Sequence, residues 1–222
     1  MLALSLSGLD VRFPGLDRPA LAIPKLSIAA GEQVAIGGPS GSGKTTLINI
    51  LTGLERTGTG RIGWGDTDIA GLSETRRDRW RARNVGLVMQ EFHLFAGLSA
   101  LDNVLLPQRL SHFRLPQGLK AEARRLLERV GIARPEQPVE TMSRGQMQRV
   151  AVARALVGRP GLIVADEPTA SLDADAGAVV ADLLAELAAE CGATLLVATH
   201  DRRLTDRLPR HIRLENGRLL DS

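Results

Sequence analysis

The sequence predicts an α/β fold, and three observations carry that reading. Residues 34–36, 85–89, 162–165 and 194–199 are short apolar runs of the length and character of buried strands. Between them lie helical periodicities, Leu47, Ile48, Ile50, Leu51 and Leu54 in one segment and Val179, Val180, Leu183, Leu184 and Leu187 in another. Finally, Gln90, Asp166, Glu167 and His200 fall at or just past the C-terminal ends of the strands, where open α/β sheets bind ligands.

The first thirty residues read as short strands broken by Gly8, Pro14-Gly15 and Pro19. Leu2, Leu4 and Leu6, then Leu9, Val11 and Phe13, alternate as two strands would, and with no basic leading region they do not resemble a signal peptide. Phe13, the last apolar residue before a turn, either packs into the core or lies exposed for an adenine ring; residue type alone favours the core.

Next comes Gly38-Pro39-Ser40-Gly41-Ser42-Gly43-Lys44-Thr45, with the spacing GxxxxGK[ST] of a phosphate-binding loop. Glycines there let successive backbone N–H groups converge on phosphate oxygens. A strand precedes it and a helix from Lys44 follows, stopping near Gly53, which is the context the motif requires. The helix dipole points at the phosphates, Lys44 reaches them, and Thr45 offers a hydroxyl to Mg²⁺. The chain therefore reads as a binder of a nucleoside triphosphate.

Thr57-Gly58-Thr59-Gly60 is a turn before a strand at 61–64, and Ser73 is placed to cap an arginine-rich helix whose face reads as solvated. From Glu91 to Val157 the pattern turns helical. Ser99 and Asp102 form a capping-box variant, Pro107 and Pro116 break the chain, and Leu119, Ala123, Leu126, Leu127 and Val130 make one helical face. A further helix follows Met142-Ser143-Arg144-Gly145-Gln146. The chain, 1–222, thus reads as a single domain, with 1–90 and 158–222 forming a strand-rich core and 91–157 a helical insert. Asn216-Gly217 between apolar flanks signals a terminal hairpin.

Composition narrows the class. At 222 residues with 44% hydrophobic and 24% charged residues the chain can bury a sizeable core, and its apolar runs are too short to span a membrane, so it is expected in the cytoplasm. One cysteine, Cys191, excludes an internal disulfide and reads as a small helix-end residue. The net charge of +3 is modest, and 3% aromatic residues with no tyrosine leave little for base stacking, so no stable nucleic-acid partner is expected.

Asp166, ending its strand, is placed to hold Mg²⁺, and Glu167 to deprotonate an attacking water. Read alone, the two acids could equally cap the turn before Pro168; the phosphate loop upstream favours metal and catalysis. His200 and Gln90 carry no assignment by themselves.

Taken together, these residues resemble the ATP-binding-cassette ATPases along the whole chain. The phosphate loop, Gln90 as the Q-loop glutamine, Ser143-Arg144-Gly145-Gln146 as the signature, 162–167 as the Walker B strand, Ser171-Leu172-Asp173 as the D-loop and His200 as the switch histidine occur in the family's order. The resemblance implies a RecA-like P-loop NTPase core with an N-terminal antiparallel β subdomain and an inserted α-helical subdomain. It implies ATP and Mg²⁺ as cofactors, with the nucleotide on Phe13, Gly38, Ser40, Gly41, Ser42, Gly43, Lys44, Thr45 and Thr46. It puts Phe13 against adenine, which reverses the preference for core. The implied metal ligands are Thr45, Gln90 and Asp166; Glu167 is the general base, His200 contacts the γ-phosphate, and Lys44 stabilises developing charge. Two copies share each site, Ser143, Gly145 and Gln146 of one covering the ATP of the other, with Asp173 coupling the sites.

One position departs from the family. The signature usually has glycine where this chain has Arg144, whose side chain either crowds the partner's nucleotide or points outward. Residues 85–107 look like the group that includes lipoprotein-releasing, macrolide-exporting and cell-division ATPases. The resemblance then implies a separate transmembrane permease, attachment at the cytoplasmic face of the inner membrane, and a helical segment at 90–115 that receives the permease. Phe92, Leu94, Phe95 and Leu98 form either a docking groove there or the core of the insert. A non-transporting, cell-division type of complex is the alternative; a soluble nucleic-acid ATPase lacks support because no long insertion is present, and a nucleotide kinase would not need the signature.

Overall fold

In the computed structural model, which describes residues 1–220, the elements are β1 (Leu4–Val11), β2 (Leu21–Ile28), β3 (Gln33–Gly37), α1 (Lys44–Leu51), β4 (Arg61–Trp64), β5 (Thr67–Asp68), α2 (Glu74–Asn84), β6 (Val85–Met89), α3 (Ala100–Ser111), α4 (Leu119–Arg129), α5 (Arg144–Leu156), β7 (Leu162–Asp166), α6 (Ala174–Glu190), β8 (Thr194–Ala198), α7 (Arg202–Thr205), β9 (Arg210–Glu215) and β10 (Arg218–Leu220). The last two positions of the 158–222 segment lie outside the described residues. Among the described residues no helix is long and apolar enough to cross a membrane.

The larger sheet has the order β10-β9-β3-β8-β7-β6. All its neighbours are parallel except the β9–β10 hairpin. Its central strands β3, β7 and β8, buried on both sides, are continuous apolar runs, as parallel strands covered on both faces must be. Successive residues serve opposite faces. Ala35, Ile163, Ala165, Leu195 and Val197 join the core under α3 to α6, whereas Val34, Ile36, Leu162, Val164, Leu196 and Ala198 join the core under α1 and the second sheet.

That second sheet, β2-β1-β4-β5, is antiparallel. The two strands expected before residue 13 are one strand, β1. Its buried residues switch parity between Leu6 and Leu9 because Gly8, at φ 64, rotates the pleat, and β2 switches parity between Ile23 and Leu26, beside Pro24. The register is kept on both sides, Ser7 opposite Lys25 and Leu9 opposite Ile23, so the pair creases together and its apolar residues stay in one core.

Other local expectations also shift. Pro107 does not break the chain; it sits inside α3, where a proline costs about 3 kcal/mol. Burial of Leu101, Val104 and Leu105 offsets that cost, each fully buried aliphatic side chain contributing roughly 1.5–3 kcal/mol. Ser73 occupies the N-cap of α2 without a side-chain bond, and Arg77 and Trp80 of that helix are buried, so the arginine-rich face is only partly solvated. Ser99 Oγ accepts from Asp102 N and donates to the Asp102 carboxylate, a cap without the reciprocal bond of a box. Leu54 lies beyond the end of α1 and Val179 on the solvent side of α6; both are exposed. Cys191 does cap the C-terminus of α6.

Candidate nucleotide-binding site

The site is built by sheet register. Ile36 of β3 pairs with Ala198 of β8, Ala198 with Asp166 of β7, and Asp166 with Met89 of β6. Four parallel strands therefore end on one line, and the residues after them are delivered to one edge: the phosphate loop, His200, Glu167 and Gln90. They border a cleft of about 1050 Å³ whose walls include Phe13, Ser40, Gly41, Thr46 and the Asn216-Gly217 turn. Sequence reading identified that turn as a hairpin tip only. Its place in the cleft wall follows from β9 pairing with β3, and Gly217 N donates to Ser42 O.

The loop between β3 and α1 is shaped by its glycines. Gly38 has φ 154, and a Cβ there would lie 2.1 Å from the backbone oxygen of Leu214. Gly43 caps α1 in a left-handed conformation, directing the helix N-terminus into the cleft. Gly38→Ala is expected to lower stability by about 2 kcal/mol or more, because the substitution adds backbone strain to a clash the β9 backbone must relieve. Urea unfolding checks this, and a midpoint equal to that of the unsubstituted protein would contradict it.

Lys44 is half-buried, its Nζ donating to Gly38 O at 2.9 Å and Pro39 O at 3.2 Å and lying 3.9 Å from Glu167 Oε1. The ammonium thus stands between the loop and the acid. Thr45 Oγ1 donates to Asp166 Oδ2 at 2.9 Å, and burial pushes the Asp166 carboxyl above the usual carboxylate range. A charge so desolvated is one that a bound cation would stabilise. Among the described residues no cluster of three His, Cys, Asp or Glu side chains could hold a metal. The donor set is instead one hydroxyl, one carboxylate and the Gln90 amide lining the same cleft, which fits a Mg²⁺ held mainly through phosphate oxygens and water. Ser42 Oγ is buried in the loop without a hydrogen-bond partner.

Glu167 has φ 46, unusual for a residue with a side chain, and its N–H donates to Ala198 O at 2.8 Å, which holds it there. That backbone turns the carboxylate back toward β8. Oε1 lies 2.9 Å from His200 Nδ1, and Oε2 accepts from Thr199 Oγ1 at 3.2 Å. The acid and the histidine, 33 positions apart in the chain, are direct partners. Behind them Asp201 accepts from Thr169 Oγ1 at 2.7 Å and from Arg203, whose guanidinium holds its carboxyl at about 2.

Phe13, over a third exposed, faces the cleft rather than the core. Ser143, Gly145, Gln146 and Asp173 do not reach it. They line a separate cavity of about 470 Å³ between the N-termini of α5 and α6. Ser143 caps α5 in a full capping box, accepting from Gln146 N while the Gln146 side chain accepts from Ser143 N. Asp173 caps α6 through Ala176 N at 2.8 Å.

Sequence reasoning passed over Gln148. It is fully buried, its Nε2 donating to Pro168 O at 2.6 Å and Met89 O at 3.4 Å, so it ties the residues flanking Glu167 and Gln90 to α5. Nothing in the local pattern marks it, since both acceptors are backbone atoms 20 and 59 positions away. The residues expected as a docking groove divide: Phe92 is buried, Leu94 and Leu98 are half-buried, and Phe95 is 58% exposed.

Comparison with known proteins agrees with this geometry. Residues 21–170 match the family described as ABC transporter. The chain is 43% identical to the lipoprotein-releasing system ATP-binding protein LolD 2 of Rhodospirillum rubrum and 44% identical to LolD of Bordetella pertussis, each match covering 87% of this chain and 84% of the relative. Among solved structures, the dimeric ATP-binding cassette MJ0796 in a post-hydrolysis state with ADP and phosphate superposes with a TM-score of 0.87 at 32% identity, covering 98% of this chain and 97% of that one. A family match over most of the chain, relatives above 40% identity and the fold of a nucleotide-bound cassette converge: the chain belongs to the ABC transporter family, as an ATP-binding subunit that hydrolyses ATP.

Proposed function

We propose that two copies of this chain close head to tail on ATP and so drive a separate membrane permease that releases lipoproteins. The observation that carries the two-copy reading is the separation of the site into two surfaces: the phosphate loop and Glu167 border one cleft, while Ser143, Gly145 and Asp173 line another cavity. Neither surface encloses a triphosphate alone. Closing the signature of one copy over the cleft of the other adds the capped N-terminus of α5, with its free N–H groups, to the γ-phosphate. The dimeric state of the cassette MJ0796 supports this arrangement.

Within each composite site this chain's own residues divide the work. The N–H groups of the loop and Lys44 bind the β and γ phosphates, and Phe13 stacks on adenine. Thr45, Asp166 and Gln90 would hold Mg²⁺, which supplies charge neutralisation across the phosphates. Glu167 takes the proton of the attacking water. His200 contributes through its two nitrogens. Nδ1, 2.9 Å from Glu167 Oε1, orients the ring, and Nε2 contacts the γ-phosphate.

For the permease, the surface is the groove of about 350 Å³ between α2 and α3, where Phe95 and Leu110 are exposed beside Leu106 and Pro107. Exposed apolar side chains gathered in one groove mark a protein contact. Docking there places the subunit peripherally, on the cytoplasmic face of the membrane. The lipoprotein assignment rests on the relatives, whose names carry that activity.

The test is recovery from the native cell of tagged Glu167→Gln protein, solubilised gently with ATP and Mg²⁺. A copurifying permease with a large extracytoplasmic domain, lost on adding Leu110→Asp, is the expected result. Recovery of soluble proteins or nucleic acid alone would overturn it.

A further inference from the structure

Arg144 lines the cavity of Ser143 and Gly145 and is exposed to solvent, yet its guanidinium is tied to two other segments of the same chain. It is the first residue of α5, where a cation is disfavoured by the helix dipole, and its side chain folds back from the N-terminus. Nε donates to the backbone oxygen of Ser171 at 3.0 Å, and the guanidinium carbon stands 5.2 Å from the centroid of the Phe92 ring, a cation–π contact. Ser171 opens the D-loop. Phe92 is buried two residues beyond Gln90. One side chain of the signature therefore touches two further segments that the ATP cycle uses, and a glycine at this position makes neither contact.

The surroundings make this a joint rather than a loose surface contact. A Cβ at Gly145 would lie 3.0 Å from Ala176 Cβ, so the N-termini of α5 and α6 are already in close approach. The D-loop between them is fixed at one end by the Asp173 cap on α6, and Arg144 fixes the other. Further along the same helix, Arg154 donates to Phe92 O and His93 O, and Gln148 to Met89 O and Pro168 O. Thus α5 holds the segment after Gln90 by the backbone at Arg154 and by the ring at Arg144. Arg154 and Gln148 anchor segments of the same chain's cleft, whereas Arg144 joins the segment after Gln90 to the D-loop.

We propose that Arg144 is a positioning residue that locks the signature turn, the D-loop and Phe92 into one rigid piece, so that Ser143 and Asp173 are presented together to the other copy. The proposal rests on the two-copy reading for its effect on hydrolysis, but not for the lock itself, which exists within one chain.

The experiment has two readouts. In nucleotide-free protein, amide exchange at Leu172, whose N–H donates to Thr169 O at 3.1 Å, reports on the D-loop. Arg144→Met is expected to speed it by about tenfold, the factor that loss of roughly 1.4 kcal/mol of cation–π and hydrogen-bond stabilisation gives, with Arg144→Lys intermediate. In steady-state turnover, Arg144→Met lowers kcat severalfold at unchanged KM for ATP, and combination with Phe92→Leu adds no further loss. Thermal unfolding of Arg144→Met stays a single cooperative transition lowered by no more than about 3–6 °C, the shift that this loss gives in a chain of this length, which separates positioning from failure to fold. Unchanged Leu172 exchange, with kcat losses that multiply in the double variant, would overturn the lock and assign Arg144 to the partner's phosphates. If Glu167→Gln forms no ATP-dependent dimer, the two-copy reading fails while the exchange result still decides the lock.

Discussion

Glu167→Gln is expected to lower kcat by roughly 10²–10⁴-fold, the range that a positioned general base contributes, while ATP binding is retained. The amide keeps the size of the side chain and can still accept from Thr199, so the left-handed backbone at this position and its bond to Ala198 O are undisturbed. What is lost is the proton acceptor, and with it a negative charge 3.9 Å from Lys44. Both changes favour a persistent ATP state: turnover stops, and repulsion between a carboxylate and the incoming γ-phosphate is removed. ATP-dependent dimer should therefore accumulate, read by light scattering on gel filtration alongside phosphate release. Hydrolysis at the unsubstituted rate would remove Glu167 from the base role and return it to capping the turn before Pro168.

Ser143→Arg is expected to abolish that dimer and to reduce turnover to the background of the monomer, while isolated monomer binds ATP with unchanged affinity. The separation of the two surfaces decides the sign: Ser143 lines the cavity between α5 and α6, and the phosphate loop lies at the other site. Loss of the cap itself costs about 0.5–2 kcal/mol, so Ser143→Ala serves as the control that removes the cap without the arginine stem. Fluorescent-nucleotide titration of monomer and light scattering in the Glu167→Gln background give the two numbers. Weakened monomer binding in Ser143→Arg, beyond that in Ser143→Ala, would contradict a site shared between copies.

Much of this site was legible because its chemistry is written locally. The phosphate loop needs consecutive residues, since backbone N–H groups converge only when glycines are adjacent to the lysine that completes the loop. Asp166 and Glu167 were legible because they end an apolar run downstream of a phosphate loop, and parallel strands deliver such residues to one edge; Gln90 and His200, also at strand ends, gained roles only through the family resemblance. Local reading failed where a distant partner outweighs local preference. Pro107 stays in a helix because α3 is buried against its neighbours, and Arg77 is buried although its neighbours are charged. The crease of β1 at Gly8 opposite the Pro24 region of β2 looks like a strand boundary from either strand alone.

The sequence by itself determined the fold class, the phosphate-binding chemistry and the family, because motif spacing and strand periodicity survive without any knowledge of packing. Only the tertiary structure decided which of those residues are partners. The 2.9 Å approach of His200 to Glu167, the tie from Gln148 to both neighbouring loops and the return of Arg144 onto Ser171 O and Phe92 each join residues 20 or more positions apart. Such contacts depend on strand order and helix packing, which register and burial fix across the whole chain and no single segment encodes.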